Sequence, residues 1–82
     1  MTISEKKELL MCPNWTYKQV MLFTGYKKSK CFEIMKVCKE QFNGSVMFEK
    51  HKVKRNSVLA YCGTSFEVEI YELKKLEELE QT

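Results

Sequence analysis

The chain has no aspartate, one arginine (Arg55), one histidine (His51), one proline and three glycines in 82 residues. Each shortage excludes something. Nucleophilic or acid–base catalysis needs a base beside a nucleophile, or carboxylates converging on a pocket. One histidine and glutamates scattered over helix faces supply neither, so no enzyme is expected. Gly25, Gly44 and Gly63 stand alone, so no glycine-rich loop can cradle a phosphate. Cys12, Cys31, Cys38 and Cys62 contain no CxxC pair and have only His51 to join them, so neither a zinc site nor any other cofactor is expected. Apolar runs are only a few residues long and Ser4–Glu8 is polar, which predicts neither a signal peptide nor a membrane span. The chain therefore reads as cytoplasmic, with its cysteines as buried free thiols. Cys31 and Cys38 fall two turns apart on one expected helix, too far for a disulfide.

What is present is globular: 44% hydrophobic and 12% aromatic residues point to one small domain, residues 1–82. Charge is unevenly spread. Residues 1–63 hold 12 Lys/Arg against 5 Glu, a net +7, while residues 64–82 hold 2 against 6, a net −4. A basic body and an acidic tail suggest a polyanion partner for the first and a different role for the second. No repeat, low-complexity stretch or linker is visible.

The organising stretch is residues 16–42. Thr16 is placed to cap a short helix on which Val20, Met21 and Thr24 face inward. Gly25 sits at the turn, and Ser29 is placed to cap a second helix with an apolar stripe of Cys31, Ile34, Cys38 and Phe42. Two helices joined by a short Gly-containing turn form the helix-turn-helix pattern. Before it, Thr2 and Glu5 have capping-box spacing on a short helix that ends at Cys12-Pro13, and Trp15 follows as a core anchor. After it, Asn43-Gly44 stops the second helix. Ser45–Phe48 and His51–Lys54 read as the strands of a hairpin over 45–54. A short helix capped by Asn56 or Ser57 buries Val58, Leu59 and Tyr61 and ends at Cys62-Gly63. The last segment, 65–80, reads as helix through Phe66, Ile70, Leu73, Leu76 and Leu79, with a strand start left open by the alternation of Phe66, Val68 and Ile70. The fold expected is mainly α with a small β-hairpin: a winged helix-turn-helix with a C-terminal helix.

The stretches TYKQVMLFTGYKKSKCFEIM and KVKRNSVLAYCG, within residues 15–63, resemble the small winged helix-turn-helix proteins of phages and mobile elements, the excisionase-like and MerR-like regulators. The resemblance implies a double-stranded DNA partner and a role in transcriptional control or recombination directionality. Met21 stands where these families usually place a small residue, and the acidic tail is not required by them.

In a helix-turn-helix the second helix enters the major groove with its N-terminal residues nearest the base edges. The expected contacts are Thr16 and Tyr17, then Lys27, Lys28, Ser29, Lys30 and Lys36, and in the hairpin Lys50, Lys52, Lys54 and Arg55, the arginine reaching a minor groove. His51 reads as an exposed loop residue. Glu33 either accepts from cytosine N4 or pairs with Lys30 or Lys36. Ile70, Leu73, Leu76 and Leu79 either pair with a second copy in a homodimer or fold back on the first helix. The alternative partner is a protein, with the chain as a small inhibitor or adaptor docking through its tail or a Phe32/Met35 patch.

Overall fold

The computed structural model describes residues 2–81, with Gln81 as backbone only; Met1 and Thr82 of the expected 1–82 domain lie outside the described residues. Among the described residues, five helices and a two-stranded antiparallel sheet follow in the order α1 (Ile3–Met11), β1 (Asn14–Trp15), α2 (Tyr17–Thr24), α3 (Lys28–Gln41), β2 (Val53–Lys54), α4 (Arg55–Tyr61) and α5 (Phe66–Gln81). Among the described residues no helix is long and apolar enough to cross a membrane.

Local chemistry explains most boundaries. The Glu5 amide donates to the Thr2 hydroxyl at 3.1 Å, and the Thr2 amide donates back to the Glu5 carboxylate at 3.3 Å, a reciprocal cap on α1. Thr16 is the N-cap of α2, as expected, and forms a capping box with Gln19, whose Oε1 accepts from the Thr16 amide at 2.8 Å. Gly25 ends α2 at φ +77, its amide on the Met21 carbonyl at 2.8 Å. α3 starts two residues earlier than expected: Lys27 is the cap position and Ser29 lies inside the first turn. α4 likewise begins at Arg55, before Asn56 and Ser57. The Ser57 hydroxyl instead donates to the Phe42 carbonyl at 2.8 Å, tying α4 to the end of α3. Before α5, the Ser65 hydroxyl accepts from the Val68 amide at 3.3 Å.

The core is built from α1 to α4 and both strands: Leu9, Trp15, Val20, Cys31, Ile34, Met35, Cys38, Val53, Val58 and Leu59, with Phe66 of α5 packed against it. Met35 belongs to it, which removes it from the exposed patch that an adaptor was expected to use. Phe42 leaves the α3 stripe at the helix end and meets Tyr61 edge-on at 6.3 Å. The strand start kept open at Phe66 is helix instead. Phe66 and Ile70 are half-buried and Leu73 is buried at helical spacing, whereas Val68, which alternation would place with them, is exposed.

The expected hairpin differs most. Asn14 and Trp15 pair with Lys54 and Val53, so β2 finds its partner 38 residues back in the chain, Trp15 to Val53. On its other side Val53 bridges only Ser45. Residues 46–52 form a loop with turns where the Glu49 amide meets the Val46 carbonyl and the Lys52 amide meets that of Glu49. Of the apolar residues expected to alternate there, only Val53 is fully buried; Phe48 points into solvent at φ +65, which breaks strand geometry.

Gly44 is fixed by space. A Cβ there would lie 2.9 Å from both the Cys38 carbonyl oxygen and Val53 Cγ2. Gly44→Ala is expected to destabilise the fold by about 1–3 kcal/mol through overpacking, read as a lower urea midpoint. Phe48→Gly should do the reverse, raising stability by roughly 0.5–1 kcal/mol in the same measurement, because it removes left-handed backbone strain and sacrifices no burial.

Candidate functional site

α3 presents its outward face beside the 46–52 loop and the start of α2. The α2–α3 connection is three residues, Gly25 to Lys27. α3 has no side-chain cap, so its first-turn amides at Lys28, Ser29 and Lys30 lack a side-chain acceptor among the described residues. Lys28 turns back over the Tyr17 ring, its Nζ 5.1 Å from the centroid, and lies 5.8 Å from that of Phe32. The two rings stack tilted at 5.0 Å. Lys30, about 200° further round the helix, pairs with Glu33 at 3.5 Å. That geometry favours the helix-partner reading of Glu33. Lys27 and Ser29 are exposed on the same end.

A cleft of about 440 Å³ runs between α3 and the loop, lined among others by Tyr17, Phe32, Lys36, Lys39, Lys50 and His51. The Lys39 ammonium donates to the Lys50 carbonyl and anchors the loop to the helix. Lys52 pairs with Glu49 at 3.4 Å. Sequence reasoning had not singled out Lys39 or the Tyr17–Phe32 stack. Lys39 follows Lys36 by three residues, a visible signal, but its bond to the loop and the meeting of rings 15 positions apart are tertiary.

Two expected contacts are occupied elsewhere. The Thr16 hydroxyl is held by Gln19. Arg55 donates from Nη1 to the Leu10 carbonyl at 2.6 Å and from Nε to Asn56 Oδ1 at 3.1 Å, with its guanidinium 4.1 Å from the Phe66 centroid. It joins α1 to the start of α5, and burial lowers its pKa below the ordinary value. It is the first residue of α4 and not part of the loop. Lys54, in contrast, is exposed, with only its backbone committed to the sheet. Lys36 and Lys50 are exposed at the cleft.

α5 lies along α1. Lys6 meets Glu69 at 3.0 Å, and Lys7 meets Glu77 at 3.5 Å. Glu69 is 8% exposed and Leu73 is buried, so Leu73 completes the intramolecular contact and is withdrawn from any interface with a second copy. Ile70 is half-buried; Leu76 and Leu79 lie on the more exposed part of the helix.

All four cysteines are free; Cys31 and Cys38 are buried, Cys12 is half-buried, and Cys62 is exposed, contrary to a buried role for every thiol. Among the described residues no three His, Cys, Asp or Glu side chains are grouped to hold a metal. No family, curated protein or solved structure matches the chain.

Cys38 Sγ donates to the Ser57 carbonyl at 3.6 Å, and burial, with Cys62 nearby, pushes its pKa up from 9.0 to about 11. The folded state thus favours the neutral thiol. Its contribution is complete below pH 9.0 and is lost as pH rises toward about 11. Urea unfolding across that range should show an alkaline loss on the order of 2 kcal/mol that Cys38→Ala removes.

Proposed function

We propose that this chain is a small winged helix-turn-helix protein that binds double-stranded DNA, acting in transcriptional control or in excision of a phage or mobile element. The observation that carries the reading is the convergence of cationic groups from two elements on one face. Lys36 and Lys39 on α3 and Lys50 on the loop line one cleft, outnumbering its single acid, Glu40, and Lys28 lies over Tyr17, which lines the same cleft. α3 is the groove-entering helix and the 46–52 loop is the wing. The uncapped amides at the start of α3 suit a phosphate. Lysines at the cleft neutralise the backbone on either side of the helix. The resemblance of residues 15–63 to excisionase-like and MerR-like regulators supplies the biological setting. The chain carries out no reaction of its own on this reading. Acidic α5 stays clear of the DNA, held on α1, and its exposed Leu76 side offers a surface for a second copy.

A second reading is favoured by one observation. Glu33 and Glu40 share the outward face of α3 with Lys36 and with Phe32, which is 47% exposed. That mixed surface suits a protein partner, as for an inhibitor or adaptor.

Anisotropy of a labelled duplex, titrated at several salt concentrations, separates the two. About six neutralised phosphates give a slope of log K against log salt near −5. Lys28→Glu/Lys30→Glu should weaken binding at least about tenfold and flatten that slope. A folded protein that leaves the duplex free at low salt would turn the reading to a protein partner.

A further inference from the structure

We propose that the tip of the 46–52 loop is an apolar wedge, and that Phe48, backed by Met47, inserts between stacked base pairs of the duplex held by the surrounding lysines. The inference rests on the duplex-binding reading and adds the contact that the tip makes.

Phe48 is 97% exposed and Met47 80%, the two most exposed large apolar side chains among the described residues. Phe48 also holds φ +65, a left-handed conformation that a bulky side chain rarely adopts. Inside the fold nothing offsets that strain, since the ring is in solvent and makes no ring contact among the described residues. Strain kept at an exposed apolar residue points to a contact outside the chain.

Chemistry around the tip selects the contact. Lys50, His51 and Lys52 follow it, Lys54 flanks its base, and Lys39 grips the loop from α3. Glu49 is the one acid in the loop and is paired with Lys52. The cations suit a polyanion; the flat aromatic ring suits stacked rings. A base step between two phosphate backbones offers both, and apolar side chains of this kind open such steps in minor-groove complexes. The stem is firm enough to deliver the ring, because Ser45 bridges Val53 at its base. A bilayer surface also presents anions over apolar matter, but two apolar residues give far less buried area than the helix faces that anchor there.

The test uses the intact protein and a mixed-sequence duplex carrying an end fluorophore and 2-aminopurine beside a TA step. Wild type should raise anisotropy and, at the same concentrations, raise 2-aminopurine emission severalfold as the step unstacks. Phe48→Ala should abolish the emission change and weaken binding no more than about tenfold, since lost stacking is offset by unstacking that no longer occurs. Phe48→Trp should keep both signals. Anisotropy without an emission change in wild type, or an emission change that survives in Phe48→Ala, overturns the wedge and leaves duplex binding standing. No anisotropy rise at low salt overturns both. Phe48-dependent sedimentation with vesicles of phosphatidylcholine and phosphatidylserine would then assign the tip to lipid.

Discussion

Everything in this fold leans on how the last turn of α1 is closed. A helix leaves its final carbonyls without helical partners, and here two of them accept from side chains, one 6 and the other 45 residues further along the chain. The Trp15 indole donates to the Leu9 carbonyl at 2.9 Å, and Arg55 donates to the Leu10 carbonyl at 2.6 Å. Trp15 is fully buried, its ring 5.3 Å from Phe23 of α2, and its backbone faces Val53 of β2. One residue thus orients α1, α2 and the sheet together. Arg55 does the corresponding polar work at the opposite edge, where its cation covers Phe66 and sets the direction in which α5 leaves. The single arginine in the chain is consumed by architecture.

That use of Arg55 shows where sequence reading succeeds and where it stops. Elements governed by near neighbours were legible: the Thr2/Glu5 cap, the Gly25 turn, the Cys31–Ile34–Cys38 stripe and the inward Val58 and Leu59 all depend on spacings of seven residues or fewer. The α5 helix was legible too, once leucine spacing outweighed the short alternation at its start. The wing was not. Strand pairing is decided by which distant segment offers free backbone, and Asn14–Trp15, anchored by the indole, supplied it in place of Ser45–Phe48. Similarly, lysine runs identify a basic surface, but not which amine will be spent on a carbonyl, as Lys39 is, or on a loop glutamate, as Lys52 is.

The charge segregation seen in the composition also acquires a structural meaning. The acidic α5 is partly matched by Lys6 and Lys7 of α1, so its negative field is answered on the side where it packs. The cations of α3 and the loop form two pairs as well, with Glu33 and Glu49, while Lys28, Lys36 and Lys50 have no ion pair among the described residues. The net charge of that side is therefore positive, opposite in sign to that of α5.

The loop is also tethered in a particular way. Both its ends converge on Val53, which is bridged to Ser45, packed against Gly44 and paired with Trp15. Residues 46–52 are therefore joined to the rest of the fold by this clasp and by the Lys39 bond to the Lys50 carbonyl. Such a segment is free to vary in length and composition over evolutionary time without endangering folding. Its sequence can change while the frame that carries it stays in place.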